Sequence, residues 1–136
     1  GLPLVIKGIR TAADALLCVE HGVDGIVVSN HGARHMDGTL SSIEALPAIY
    51  EAVGDRLEVY LDSGVRRGLD VLRALALGAR AVLIGRPVFW GLAVNGEDGV
   101  RRVLEILRAE FDRAIAYCGR TCVADIDESL ISFPRR

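Results

Sequence analysis

The chain has 136 residues, 51% of them apolar, a mean hydropathy of +0.32 and a formal net charge of −2. This is enough apolar material for one globular core, and the sixteen basic residues are interspersed among eighteen acidic ones, so no basic stripe suited to nucleic acid is present. No apolar stretch approaches the length of a membrane span or carries the pattern of a signal peptide, and Cys18, Cys118 and Cys122 match no zinc or redox spacing. The three thiols read as buried or idle, no metal site is expected, and the absence of a peroxisomal Ser-Lys-Leu address at Pro134-Arg135-Arg136 leaves a cytoplasmic setting as the expectation.

Four short apolar runs rich in Val, Ile and Leu predict strands at Pro3-Ile6, Gly25-Ser29, Leu57-Leu61 and Ala81-Ile84. The first run starts almost at Gly1, with no Met before it, so further strand–helix units are expected upstream. Between the strands lie helical patterns. Thr11 is placed to cap a helix with Asp14 in the reciprocal position, Ala12, Ala15, Leu16 and Val19 share one face, and Gly22 closes it. Ser41 and Glu44 have capping-box spacing, but Pro47 interrupts the next turn, which predicts a turn and then a helix restarting near Pro47. A third helix spans Leu69 to Leu77 with Leu69, Leu72, Leu75 and Ala76 inward, ended by Gly78. A short helix is expected from Val88 to Ala93. A long one follows from Glu97 to Tyr117, burying Val100, Val103, Leu104, Leu107, Phe111 and Ile115. Cys118 to Arg136 reads as irregular, with at most a short helix near Val123.

A shift of 56 residues superposes Gly8 on Gly64, Arg10 on Arg66, Asp14 on Asp70, Leu16 on Leu72 and Gly22 on Gly78, the pattern of an internal duplication. Four alternating strands and helices fit either an open doubly wound sheet or half of an eight-stranded (β/α)8 barrel. Lys7, His31, Asp62 and Arg86 sit at the C-terminal ends of the four strands. Polar residues at those positions favour the barrel, where strand ends converge on one mouth, and a full barrel takes roughly 250 residues. The fold class expected is therefore α/β, with residues 1–136 forming the C-terminal half of a TIM barrel.

The loop Ser29-Asn30-His31-Gly32-Ala33-Arg34 offers a base and a guanidinium fork three residues apart. A fork on a carboxylate beside an imidazole that removes a proton suits chemistry on a small acid; the plain alternative is a turn histidine and an Arg34–Asp37 surface pair. Gly64 with Arg66, and Gly85 with Arg86 before a short helix, stand where the last two strand ends of a barrel cradle phosphate; the alternative is tight turns with solvated arginines. Lys7 is either solvated or, facing the same mouth, a fixed ammonium that stabilises developing negative charge. Asp62, on a central strand, needs a partner, for which a ligand hydroxyl or a backbone N–H would serve. His21 and His35 read as surface residues, and Tyr60, Phe89 and Trp90 as core.

The segments from Ser29 to Asp37, from Asp62 to Gly68 and from Leu83 to Pro87 closely resemble the signature segments of the FMN-dependent α-hydroxy-acid oxidase and dehydrogenase family, which includes glycolate and lactate oxidases. The resemblance covers nearly the whole chain and implies a (β/α)8 barrel with FMN as cofactor. It implies His31 as the base acting on a small L-2-hydroxy acid and Arg34 as the holder of its carboxylate. Lys7 would lie at the flavin N1–O2 edge and Ser29 against the ring. Asp62, Ser63, Gly64, Val65 and Arg66 would face the ribityl–phosphate region, and Gly85 and Arg86 the phosphate. Ser63 stands where glycine is frequent, and His35-Met36 replaces the more usual Gln-Leu. The expected reaction is oxidation of the hydroxy acid to the 2-oxo acid, in a homo-oligomer. The chain alone is expected to turn over little. A stand-alone half-barrel that binds FMN or phosphate without turnover is the alternative; the Ser29-to-Asp37 segment argues against other phosphate-binding barrels, such as inosine-monophosphate dehydrogenase or type 2 isopentenyl-diphosphate isomerase.

Overall fold

A computed structural model describes residues 1–132, and Pro134, Arg135 and Arg136 lie outside them. The strands β1 (Val5–Ile9), β2 (Gly25–Val28), β3 (Glu58–Asp62) and β4 (Val82–Leu83) form one parallel sheet in sequence order. Each crossover carries a helix: α1 (Ala12–Glu20), α2 (Ser42–Val53) and α3 (Gly68–Ala76), and α4 (Arg86–Tyr117) follows β4. Parallel neighbours need such crossovers because the end of one strand and the start of the next lie a full strand length apart.

The register decides which residues share a face. Ile26 pairs with Val59 and Val28 with Leu61, and all four are buried with Leu46, Ile49 and Val53 of α2 in the core between sheet and helices. Lys7 pairs with Val27, and Val27 with Tyr60, on the opposite face. Strand side chains alternate, so Ser29 and Asp62, two residues beyond Val27 and Tyr60, join that same inner face. The period of two thus separates an apolar layer under the helices from a polar cluster at the strand ends.

Several expectations need correction. β1 runs to Ile9, three residues beyond the predicted end, and Lys7 lies inside it. At Gly8, with φ +107°, the register slips between Lys7 and Ile9, a bulge that a glycine accommodates. α2 is continuous through Pro47. The lost N–H bond and local crowding are outweighed by burial of Ala45, Leu46, Ile49 and Val53 on one face, and Ser41 N–H donates to the Glu44 carboxylate at 3.1 Å to fix the start. Leu16, Leu69 and Leu104 are exposed rather than inward, whereas Cys18 in α1 and Gly68 in α3 are buried. At Gly68 the approach of α4 is so close that a Cβ would lie 2.1 Å from the Phe111 nitrogen, so α3 meets α4 through a glycine rather than through Leu69.

The predicted short and long helices after β4 are present as two arms of α4, 86–94 and 97–117, broken at Asn95 and Gly96. The arms fold back on each other at Gly91 and Gly99, where a Cβ on Gly99 would lie 1.9 Å from the Gly91 oxygen. The C-terminal segment has the expected short turn at Val123–Asp125 and a second at Glu128–Leu130. α1 and α3 differ by 56 residues at both ends, while β3 starts 53 residues after β1, so the repeat is in phase at the helices and out of phase at the strands. The cysteines are free thiols, Cys18 buried and Cys122 exposed. Among the described residues no helix is long and apolar enough to cross a membrane.

Candidate active site

The loop after β2 is a single left-handed turn. His31, Gly32 and Ala33 have φ of +54°, +70° and +58°, a region that strains every residue but glycine. Asn30 makes the turn possible: its side-chain oxygen accepts the N–H of Gly32 at 3.0 Å and of Ala33 at 3.2 Å. From the other side the Arg86 guanidinium donates to the Gly32 carbonyl at 3.2 Å. A Cβ at Gly32 would lie 2.7 Å from that guanidinium, so the position accepts only glycine without rearrangement.

Beneath the turn, Asp62 is the centre of a polar network. The carboxylate takes Lys7 Nζ at 2.9 Å, the Ser29 hydroxyl at 2.5 Å and the Ser63 hydroxyl at 3.2 Å, all on Oδ2. The partner that the sequence reading sought in a ligand or a backbone N–H is therefore supplied by three side chains of the chain itself. Burial pushes the Asp62 carboxyl up, and the bonds from Lys7, Ser29 and Ser63 together with the Lys7 charge outweigh it, leaving Asp62 below the ordinary carboxylate range. Ser29, fully buried, also accepts from Lys7 Nζ and from the His31 N–H, each at 3.1 Å.

Lys7 Nζ lies 3.3 Å from His31 Nδ1. An ammonium only donates, so Nδ1 carries the ring's lone pair in this arrangement. The Lys7 charge, burial, and the neighbouring His35 and Arg34 hold His31 below the ordinary imidazole range, against the opposing pull of Asp62. A depressed histidine is neutral near pH 7, the state a base requires. Arg34 Nε donates to the His31 carbonyl at 3.3 Å, which takes the place of the Arg34–Asp37 pair weighed above.

A cleft of about 260 Å³ gathers these groups. Lys7, His31, Arg34, Asp62, Ser63, Gly64, Val65, Arg66, Gly85 and Arg86 all line it; Ser29 alone of the predicted site residues stands behind the wall, its hydroxyl used within the network. Four cations and one carboxylate, itself engaged by Lys7, face one space. Space is open where a Cβ would stand on Gly64 and on Gly85, so both backbones are accessible to a ligand, and Gly85 caps the N-terminus of α4. This donor set fits a ligand that brings both a phosphate and a second anionic centre.

Phe89 and Trp90 are 68% and 52% exposed, not core, because the first arm of α4 projects from the sheet; Phe89 lines the cleft. His35 is exposed as expected, yet its ring lies 4.8 Å from that of His31. Sequence reasoning missed Asn30 and Gly8. Asn preceding His-Gly was a visible turn signal, whereas nothing local announced that Gly8 leaves room for the His31 ring, whose Nε2 would lie 3.0 Å from a Cβ there. Among the described residues no cluster of three or more His, Cys, Asp or Glu side chains could hold a metal ion.

Comparison with known proteins places the chain as a whole. Residues 1–133 match the family model of the FMN-dependent dehydrogenases. The chain is 58% identical over 130 residues to 2-hydroxyacid oxidase 1 of Mus musculus, covering 96% of this chain and 35% of that protein. It is 53% identical over 130 residues to L-lactate oxidase of Nostoc sp., covering 96% and 36% of the respective chains. Among solved structures, mandelate oxidase with 3,3-difluoro-2-hydroxy-3-phenylpropionic acid superposes with a TM-score of 0.89 at 50% identity, over 93% of this chain and 38% of that one. The chain thus spans little more than a third of the length of the relatives it matches. A match over nearly its whole length, on an α/β architecture shared with mandelate oxidase, has one conclusion: the chain belongs to the FMN-dependent dehydrogenase family.

Proposed function

We propose that this chain is the C-terminal half of a (β/α)8 barrel that oxidises a small L-2-hydroxy acid to the 2-oxo acid with FMN. The observation that carries the reading is the His31 ring, its Nδ1 3.3 Å from Lys7 Nζ, in a cleft that it shares with Arg34, Arg66 and Arg86. Relatives named for 2-hydroxy-acid and L-lactate oxidation support the substrate class. The open edges of the sheet at β1 and β4 support both a completing half-barrel and association between copies as a homo-oligomer. Three free cysteines accord with a reducing, cytosolic setting.

Arg34 has guanidinium N–H groups beyond the one that holds the His31 carbonyl, and these bind the substrate carboxylate. That anchor sets the α-hydroxyl beside His31. The imidazole takes the hydroxyl proton; an anion that draws Lys7 away from Nδ1 frees the lone pair for it. Bound FMN supplies the two-electron acceptor. Lys7, tied to Asp62, presents its ammonium to negative charge on the ring, with Ser29 fixing both. Gly64, Arg66, Gly85 and Arg86 hold the ribityl phosphate through accessible backbone and two guanidiniums, with Asp62, Ser63 and Val65 along the same wall.

The test is His31→Ala in the full-length protein. FMN is expected to stay bound, while bleaching of the flavin by glycolate or lactate slows by about 10²- to 10⁴-fold, the usual range for losing a general base. Undiminished bleaching would overturn His31 as the base. A chain that reconstitutes as a stable FMN-binding module without any hydroxy-acid-dependent bleaching, even with its barrel complete, would favour the stand-alone reading.

A further inference from the structure

Ser63 is the non-glycine residue of the cleft held furthest into positive φ, at +82°. The left-handed region is one that an L side chain occupies only under strain; His31 and Ala33 lie at φ +54° and +58°, whereas a φ as large as that of Ser63 is taken next to it by a glycine, Gly64 at φ +84°. Something must hold a serine there.

Its hydroxyl supplies the reason. Ser63 Oγ accepts the N–H of Gly32 at 3.1 Å, a bond shared with Asn30 at 3.0 Å, and lies 3.2 Å from Asp62 Oδ2 and 3.3 Å from Ser29 Oγ. The single hydroxyl proton can be assigned. Ser29 gives its own proton to Asp62 and fills its lone pairs with Lys7 Nζ and the His31 N–H, so the Ser63 proton goes to Asp62. The Asn30 side chain holds the turn to itself, and Ser29 joins its His31 end to Asp62; Ser63 ties its Gly32 end to the end of β3. We propose that Ser63 is a positioning residue, whose hydroxyl couples the left-handed turn that carries His31 to the Asp62 carboxylate that anchors Lys7.

The coupling bears on the distance between His31 and Lys7. The charged and titratable groups facing His31 are Lys7 from β1, Asp62 from β3, Arg34 and His35 from its own loop, and Arg86 at the start of α4, which grips the Gly32 carbonyl. Lys7 is the largest of the influences that keep the imidazole neutral. On this proposal, loss of the Ser63 tie leaves the turn held by Ser29 and Arg86 alone and loosens the approach of His31 to Lys7, so that His31 protonates at a higher pH.

This inference rests on His31 as the base, and two substitutions in the full-length, FMN-loaded protein test it. Ser63→Gly removes both hydroxyl and strain; Ser63→Ala removes the hydroxyl and keeps the strain. Both are expected to lower kcat by about ten- to a hundred-fold and to raise the acid limb of the kcat/KM profile by about half a pH unit, while the glycine variant melts at a higher temperature than the alanine variant. Parallel shifts in the pH profile, with the glycine variant melting above the alanine variant, support positioning. An unchanged profile in either variant, or activity that follows melting temperature, overturns it. His31→Ala run alongside separates the two readings: if it retains bleaching, the base assignment fails; if it abolishes bleaching while the Ser63 variants keep the original profile, only the positioning role fails.

Discussion

The two ends of the sheet differ in how they use charge. At the N-terminal ends of the strands lies the larger hollow, about 1510 Å³, where carboxylates predominate and both arginines pair at the surface: Arg80 with Glu58 at 3.7 Å and Arg56 with Asp55 at 3.6 Å. Its glycines serve turns, and the ring of Tyr50 packs across Gly54 and Gly78. At the C-terminal ends the cleft is about 260 Å³, but four cations converge on one engaged carboxylate, and three non-glycine residues, His31, Ala33 and Ser63, occupy left-handed conformations. Size does not mark the site; backbone strain beside a converging set of cations does, because such strain costs stability and persists where function offsets it.

That contrast can be sharpened by stability and activity measured together. The largest loss of stability is expected between the two ends, from Leu46→Ala. The side chain is fully buried, so about 2–5 kcal/mol of unfolding free energy should disappear in urea titration while flavin bleaching per folded molecule is unchanged. A loss of bleaching in the folded fraction would show that core and cleft are not separable.

Lys7→Met should act on the mouth alone and through pH. The folded-state values of both Asp62 and His31 are depressed, so each contributes stability that is present above its ordinary value and lost as pH falls through its folded value. Removing the ammonium takes away a cause of both depressions. The acid limb of kcat/KM should move up toward the ordinary imidazole value near 6.5, and the fall in stability below about pH 4 should flatten. A profile unmoved by the substitution would show that Lys7 does not set the protonation of His31.

Least is expected at the opposite end. Arg80 and Glu58 are exposed at 74% and 53% of their side-chain surface, and Arg80→Ala should change stability by less than about 0.5 kcal/mol, with no effect on the pH profile. A larger change would mean that the wide hollow is not the ordinary surface its paired charges indicate.

The order of elements, the parallel sheet and the convergence of Lys7, His31, Asp62 and Arg86 were legible in the chain, because hydrophobic runs, helix caps and glycine placement act over a few residues. Ten of the eleven predicted site residues line the cleft for the same reason: motifs at strand ends are carried to the mouth by the strand direction itself. Only the assembled structure decided the rest. Pro47 stays helical because distant side chains bury its helix face, and Leu69 yields to Gly68 because α4 comes too close for a side chain. That Lys7 and Ser63 both end on Asp62, and that Ser29 turns inward to bind it rather than line the cleft, depends on the register of three strands and the hand of one turn. Lys7 and Ser29 lie 55 and 33 positions from Asp62, and local sequence preferences carry no record of such contacts.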